Sequence, residues 1–558
     1  NALAATTAGL STADEGSAIT IRGSRSNATD YYVDGIRVQG NLIPESEIDQ
    51  LQVITGGVEA QYGDVTGGVI SITTKGPSNK FSGGVELETS EFLDPYRNSL
   101  IGFNLSGPLV RNSAGESVLG FRLSGRYTYQ FDDDPPATPI FRVRDDVLAD
   151  LEANPLVEVQ GAPLVAADFL TDEAVNVLDH NPFEQYRRND LIAKLDARLG
   201  PAIDISITGT YSDERDRFTP GGWQVYNSHY NPYSNNLTYR GNFRFRHRLG
   251  RQTPSGPQSA RSQKQPLIQN ASYTLQFGYE RTESDAFDVR HGDNYFRYGY
   301  VGDFDIEWVP TFTQEFNPET QAFFLQHTDY RQVLRQYTGA DVNPVRANYN
   351  NAMGLNFEEG LNSQIDDYII TNAGGGAQGL ISRQQFLAPN GVVSNIFTNS
   401  WLFHTNVGVV YSSPFTTAND IYTFSGSANF DLVPGGSDKG RHNIQVGIWH
   451  EQRVNRAYQV FPISLWDIAR QQANNHILGI SETADTIGFI DVPNFPQTPL
   501  LELEIVENAD NRFYRAVREL TGQALDEFVN VDGLTPEQLR LDMFSAKELN
   551  DQQVLNYF

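Results

Sequence analysis

From about residue 81 onward the chain alternates apolar and polar residues over long stretches, and no other feature narrows its fold so far. Phe121, Leu123, Gly125, Tyr127 and Tyr129 share one parity, while Arg122, Ser124, Arg126 and Thr128 share the other. Leu191, Ala193, Leu195, Ala197 and Leu199 oppose Lys194, Asp196 and Arg198 in the same way. Leu237, Tyr239, Gly241, Phe243 and Phe245 oppose Arg240, Asn242, Arg244 and Arg246, and Tyr422, Phe424, Gly426, Ala428 and Phe430 oppose Thr423, Ser425, Ser427, Asn429 and Asp431. Side chains alternate across a strand, so each stretch predicts a sheet segment with one apolar and one strongly polar face.

Two architectures accommodate such segments. A β-sandwich buries the apolar face between sheets; a membrane barrel turns it to lipid and keeps the polar face in the lumen. The connections discriminate. The pattern places strands near 82–91, 98–110, 118–131, 188–200, 203–214, 236–250, 268–283, 419–433 and 440–454. The links 111–117, 201–202, 251–267 and 434–439 are short to moderate. The links 132–187, 215–235, 284–418 and the chain after 455 are longer, with 92–97 the short exception. Long loops on one side and short turns on the other are the mark of an outer-membrane barrel. The reading is therefore an all-β transmembrane antiparallel β-barrel over 81–558, with a smaller domain over 1–80. Arg240, Arg244, Arg246 and Arg248 then point together into the lumen, as structural charge. Single-chain barrels normally have even strand counts, so an odd count means either further strands hidden in 284–418 and 455–558 or a fragment of a longer barrel, the reading preferred here.

Composition agrees. The chain has 558 residues, no cysteine, 26 Tyr and 33 Phe against 5 Trp and 2 Met, and a formal net charge of −28. The charge argues against nucleic acid as partner, since phosphate binding needs a basic footprint. Without cysteine there is no disulfide or thiol nucleophile. There is no long apolar run for a transmembrane helix, which leaves β-strand spans open. The start, with neither Met nor a cationic leader, predicts a mature or trimmed N-terminus.

Residues 1–80 read as a small mixed α/β domain. Pro44-Glu45-Ser46-Glu47 carries Pro and acids suited to a first helical turn, and Ile48 and Leu51 follow three apart, which predicts a helix there. The stretch Ile54–Lys75 combines glycine pairs, Gly56–Gly57 and Gly67–Gly68, with the strand-forming run Val69–Thr74.

These residues resemble the plug of TonB-dependent outer-membrane transporters. The matching steps are Ile21-Arg22-Gly23; Val33-Asp34-Gly35-Ile36-Arg37; Ile54-Thr55-Gly56-Gly57; and Gln61-Tyr62-Gly63 followed by Gly67-Gly68-Val69-Ile70-Ser71-Ile72-Thr73-Thr74-Lys75. Leu105–Pro108 is similar to the family's first barrel hairpin. Gly23-Ser24-Arg25-Ser26 and Asp64-Val65-Thr66-Gly67-Gly68 resemble the Oar-like branch, which is linked to export or surface handling of large cargo as well as import. The resemblance implies a plug inside a barrel of about 22 strands, so the plug's first half with its TonB box, and the later strands, are expected beyond this chain. It implies ligand uptake energised by a TonB-type periplasmic partner in the outer membrane of a Gram-negative bacterium. The alternative is a structural component of a surface protein-export complex. Implied partners are outer-membrane lipid, the TonB-type protein, and a surface lipoprotein lid or large protein cargo.

Arg22, Gly23, Asp34, Gly35, Arg37, Gly56, Gly57, Tyr62, Gly63, Gly67 and Gly68 are the candidate plug residues, the glycines structural and the charges lumen contacts. Arg22 or Arg37 is expected to pair with Glu86 or Glu88 on the first wall strand. Tyr295, Phe296, Tyr298 and Tyr300 are candidate ligand-stacking aromatics in the 284–418 loop, against a plainer reading as loop packing. Asp132, Asp133 and Asp134 are candidate calcium ligands, against a solvated acidic tip; no other cofactor is expected. There is no HExxH, GxSxG or phosphate-binding loop, so no enzymatic chemistry is read.

Overall fold

The computed structural model describes residues 10–11, 20–25, 28–39, 43–59, 62–63, 65–160, 162–249, 267–352, 369–370, 407–434, 440–481, 483–550 and 555–557. Gln61, Asp64 and Ser26 of the motifs above lie outside the described residues.

The N-terminal domain is a four-stranded mixed sheet. β1 (Thr29–Val33) and β2 (Ile36–Val38) form a hairpin; β3 (Ile48–Ile54) and β4 (Gly68–Thr74) complete the order β2-β1-β4-β3. β4 lies parallel to β1 and antiparallel to β3. Its core is Ile21, Val33, Ile43, Ile70 and Ile72, joined by Ile192 from the wall. The expected helix after Pro44 is absent: a single 3-10 turn, Glu45–Glu47, leads directly into β3. The helix-like spacing of Ile48 and Leu51 comes from a β-bulge. Ile48 pairs with Thr74 and Gln50 with Thr73, so Asp49 is an extra residue that returns Ile48 to the buried side with Leu51 and Val53.

The wall is an antiparallel meander of β5 (Ser82–Thr89), β6 (Ser99–Arg111), β7 (Ser117–Gln130), β8 (Tyr186–Leu199), β9 (Ile203–Arg217), β10 (Tyr233–Leu249) and β11 (Ile268–Phe287). A hairpin outside the sheet follows, β12 (Gly302–Asn317) and β13 (Ala322–Gly339). The wall then resumes with β14 (Phe415–Leu432) and β15 (His442–Val460). β16 (Leu555–Tyr557) pairs with the end of β15 as a tenth strand, too short to show alternation in the sequence. The ends Arg111 and Ser117, Leu199 and Ile203, Leu249 and Ile268, and Leu432 and His442 lie at one rim, the side of the shorter links; Thr89 and Ser99, Gln130 and Tyr186, Arg217 and Tyr233, Phe287 and Phe415, and Val460 and Leu555 lie at the other, the side of the longer ones. At that second rim β11, β14 and β15 run several residues beyond their expected ends. Polar residues on both faces there, such as Arg281–Asp285 and Thr416–Asp420, erase the alternation that marks a strand.

The faces of the wall are inverted relative to a soluble sheet. Leu105, Leu191, Leu195, Ile207, Phe277 and Ile448 are exposed, whereas Ser106, Ser124, Lys194, Thr208, Gln276 and Thr423 are buried against the N-terminal domain or among themselves. Apolar out and polar in suits a wall whose outer solvent is hydrocarbon.

The described parts of the long links are folded rather than open. They hold β12, β13, α1 (Asp145–Ala153), α2 (Pro344–Ala352), α3 (Leu465–Ala473) and α4 (Phe513–Thr521). Phe296, Trp466, Phe513, Val517, Val531 and Phe544 share one buried core there, which we call the outer cap.

Candidate functional site

The hairpin joining β1 to β2 turns on Asp34 and Gly35, with φ of 48° and 88°. Positive φ at both central residues is the type I′ geometry that matches strand twist, and Asp-Gly is a preferred sequence for it. The turn aims the hairpin tip at the wall. A Cβ on Gly35 would sit 3.2 Å from Gln276 Oε1, so only glycine allows this approach.

At the tip Asp34 is almost fully buried and fully engaged. Its Oδ1 accepts from Thr74 N (2.9 Å) and its Oδ2 from Thr74 Oγ1 (2.6 Å). Lys194, on β8 of the wall, donates to Asp34 Oδ2 at 3.2 Å and to Thr74 Oγ1 at 2.8 Å. Gln276, on β11, donates to the Asp34 carbonyl at 2.8 Å. Two further contacts cross the same seam. Arg122 of β7 grips Glu47 through Nε and, at 2.9 Å, through Nη2, in the forked geometry that suits a carboxylate. Arg240 of β10 pairs with Glu280 of β11 at 2.7 Å and donates to the carbonyl of Gln39, the residue after β2. Gly278 of β11 leaves room for Ile36, whose Cγ2 would stand 3.0 Å from an added Cβ.

The seam is thus built of wall cations meeting carboxylates and carbonyls of the N-terminal domain. This corrects the expected pairing. Arg37 is satisfied within its own hairpin by Asp30, at 2.5 and 3.0 Å, because the two residues lie diagonally across β1 and β2. Arg22 lies against Gly56, where an added Cβ would meet its Nη1 at 3.1 Å. Glu86 and Glu88 sit on exposed β5, and among the described residues neither forms an ion pair with Arg22 or Arg37.

Other motif residues hold the domain together. Arg22 and Gly23 form a turn with φ of 50° and 77°, and Gly57 and Gly63 also take positive φ. Gly68 packs where a Cβ would fall 2.6 Å from Ile21 Cδ1 and 2.9 Å from the Ile54 carbonyl, and Gly67 is equally tight against the Ala28 carbonyl. The Tyr62 ring meets Tyr32 edge-on at 5.0 Å. Glu47, Thr74, Arg122, Lys194, Gln276 and Glu280 were not singled out from the sequence. Strand parity placed the four wall residues on the lumen side, but parity carries no partner.

Below the hairpin, toward the short-turn rim, lies a polar vestibule of about 670 Å³ lined by Arg198, Arg244, Arg246, Arg248, Asp196 and Asp204 among others. Arg248 pairs with Asp204 at 2.5 Å, while Arg244 and Arg246 make no ion pair among the described residues.

At the opposite rim, the aromatic run is interior. Phe296, Tyr298 and Tyr300 are 2 %, 0 % and 6 % exposed. Phe296 and Tyr300 pack on Trp466, Tyr298 donates to the Gly292 carbonyl at 2.6 Å, and Tyr295 packs on Tyr298. They are cap core, not a stacking face, because burial of that aromatic area outweighs display of it. Asp132 is a clasp: it is 1 % exposed and accepts from Asn181 N at 2.6 Å and from Asp134 N at 3.2 Å. Burial and the neighbouring Asp132 and Asp134 push the Asp133 carboxyl above its ordinary value. No group of three or more metal-ligating side chains forms among the described residues.

Comparison with known proteins fits this geometry. Residues 1–69 match the family described as TonB-dependent Receptor Plug Domain. Over 101 residues the chain is 38 % identical to the probable TonB-dependent siderophore receptor PirA of Acinetobacter baumannii, a stretch covering 18 % of this chain and 13 % of that protein. A mutant of the ferric enterobactin receptor of Pseudomonas aeruginosa, solved with enterobactin, is similar at 14 % identity and a TM-score of 0.33, over 81 % of this chain and 55 % of that one. The alcaligin outer-membrane receptor FauA of Bordetella pertussis is similar at 9 % identity and a TM-score of 0.31, over 82 % and 56 %. The chain spans about half the length of these solved structures.

Proposed function

We propose that the chain, whose residues 1–69 match the TonB-dependent receptor plug domain, is part of a TonB-dependent receptor, and that the whole protein carries a ligand across the outer membrane through a plugged β-barrel, energised by a TonB-type periplasmic partner. One observation carries the reading. A plug hairpin tip is clamped to the lumen face by Lys194 and Gln276, on a wall whose other face is apolar. The relative that is 38 % identical over 101 residues is a probable siderophore receptor, so the ligand class proposed here is an iron chelate. Transport would follow from exchange of seam contacts. Asp34, Glu47 and Gln39 would give up Lys194, Arg122 and Arg240 to water as the plug is pulled, and each polar contact has water as a ready substitute. No covalent chemistry is assigned to any residue.

The cysteine-free chain permits a direct test. Cysteines at Glu47 and Arg122 in the full-length protein, joined across the seam by a reducible thiol-specific linker long enough for the Arg–Glu span, are expected to abolish energised uptake of radio-iron held by a catecholate chelator. Reduction should restore it, and the unbridged variant should transport. Uptake that continues with the bridge fully formed sinks the reading.

A further inference from the structure

The lipid-facing side of the wall contains a slot that the transport reading does not use. Gly209 and Gly241 are direct cross-strand partners on β9 and β10, on the apolar parity. The missing side chain at Gly241 opens a hollow of about 480 Å³ beside Gly209, bordered by Ile207, Phe243, Phe277, Tyr422, Phe424 and His450. That is within the range of ligand sites, roughly 300–1,000 Å³. Its aromatic walls are ordered across strands: Phe243 meets Phe277 at 6.4 Å, Phe277 meets Phe424 at 5.0 Å, and Tyr279 meets Tyr422 at 5.0 Å.

The slot has a charged head. On the same face, two residues beyond Tyr422 toward the long-loop rim, Asp420 is 2 % exposed. It accepts from Tyr279 OH at 2.8 Å, from Arg456 Nη1 at 2.7 Å and from Arg281 Nη1 at 3.3 Å. A carboxylate–arginine cluster on a lipid-facing surface is costly and calls for a purpose. Asp420 occupies one nitrogen of Arg456 and fixes the side chain, which remains 61 % exposed and has further donors to offer. At about 3.4 Å per strand residue, the cation stands roughly 7 Å outward from the nearest slot ring. That is the layout of one amphiphile, with an acyl chain in hydrocarbon and an anion at the interface.

We propose that the slot and Arg456 together bind one phosphorylated lipid of the outer leaflet, the chain over Gly209 and Gly241 and the phosphate on Arg456. Charge complementarity and continuity with the apolar band select a lipid over a protein partner. The proposal rests on the reading that this wall spans the outer membrane with its long-loop rim outside.

The test uses the full-length protein in detergent, with native mass spectrometry after addition of diphosphorylated lipid A or its dephosphorylated form. Wild type should retain one lipid A. Retention should fall about tenfold for the dephosphorylated form, for Arg456→Gln and for Gly241→Leu. A Cβ at Gly241 meets nothing within 4 Å, so leucine fills the slot without disturbing the wall. Arg246→Gln, on the lumen side, should retain lipid normally, and excess inorganic phosphate should not displace it. Equal retention by wild type, Arg456→Gln and Gly241→Leu means an unspecific lipid annulus and overturns the proposal, as does displacement by phosphate alone. A protein that stays in solution without detergent fails the membrane reading instead, a separate outcome.

Discussion

The plug seam and the outer cap are both buried, yet they are made of opposite materials. The seam is held by a few polar contacts, Asp34 with Lys194, Glu47 with Arg122 and Gln39 with Arg240, around a small apolar contact of Ile36 with Gly278. The cap is held by a continuous core of Phe296, Trp466, Phe513, Val517 and Phe544, with ring centroids as close as 4.0 Å. A net polar contact contributes about 0.5–1.5 kcal/mol because water replaces it, whereas apolar burial contributes about 25 cal/mol per Å² with no aqueous substitute. Separation of the seam therefore proceeds contact by contact, while the cap opens as a unit or not at all. Under the proposed transport, the difference suits a plug that moves beneath loops that keep their shape.

The largest expected effect breaks the cap and spares the seam. Trp466 is fully buried, stacks on Tyr300 and donates to the Phe296 carbonyl at 2.9 Å. Trp466→Ala should cost about 3–5 kcal/mol, read as protease cleavage within 461–550 at temperatures where wild type resists. Cleavage of the β1–β2 hairpin at the same temperature would show that the two regions are one cooperative unit and would remove the contrast.

Acidity separates two groups inside the cap. Burial pushes the His291 imidazole down to about 4 from 6.5, so it stays neutral in the fold. As pH falls from about 6.5 toward 4 the unfolded chain takes up a proton that the folded chain refuses, and stability drops. Asp467 moves the other way: burial raises its carboxyl to about 6, with Arg470 opposing. Between pH 6 and 3.8 the folded chain binds that proton first, and stability rises as pH falls. The slopes overlap in the window from about 6 to 4 and offset each other. Asp467→Asn should unmask the His291 slope, a loss on the order of 2–3 kcal/mol toward pH 4 relative to wild type. Guanidinium midpoints of tryptophan fluorescence check this, and a variant profile parallel to wild type defeats it.

How far the sequence reaches can be judged from the same two regions. Alternation located all nine long wall strands, because a two-sided environment, lipid against lumen, is written at every second residue. It also put Lys194, Arg122 and Gln276 on the correct face. It could not say that Lys194 meets Asp34, because the two are 160 residues apart and either could pair elsewhere. The expected Arg37–Glu86 contact failed for a local reason: Asp30 stands seven residues away across a hairpin and reaches the guanidinium first. The helix at Ile48 failed because one bulge gives a strand helical spacing. The cap was read as loop since its helices are short and their apolar residues serve a core assembled from distant segments, Phe296, Trp466 and Phe513 among them. The aromatic run 295–300 left stacking and loop packing both open, and the structure selects packing, because composition does not report burial.

Lys194→Met tests the polar half of the contrast. It leaves a buried Asp34 carboxylate without its cation, a change that ordinarily costs about 3–5 kcal/mol. Thr74 still donates twice to Asp34 at 2.9 and 2.6 Å, so about 2 kcal/mol is expected, confined to the plug. Asp34→Asn should recover most of the loss in the double variant, since the uncompensated charge is gone. Hairpin proteolysis and a double-mutant cycle measure it, and strictly additive losses would mean that the pair is incidental.

The smallest effect probes the apolar point in the seam beneath the hairpin tip. Gly278 faces Ile36, and an added Cβ would lie 3.0 Å from Ile36 Cγ2 and 3.6 Å from Thr423 Cβ. The wall strand there is paired on both sides, with Asn242 and with Thr423, and cannot retreat. Gly278→Ala should therefore push the hairpin away by a few tenths of an ångström and cost about 1 kcal/mol. Ile36→Ala should relieve the clash by removing the Cγ2 methyl that makes the 3.0 Å contact. The seam's polar contacts are short-ranged and tolerate little displacement, so the variant should show faster hairpin cleavage with an unchanged cap. If Gly278→Ala leaves hairpin cleavage as slow as wild type, the hairpin tip is held by its polar contacts, and this part of the seam is more purely polar than the contrast with the cap already requires.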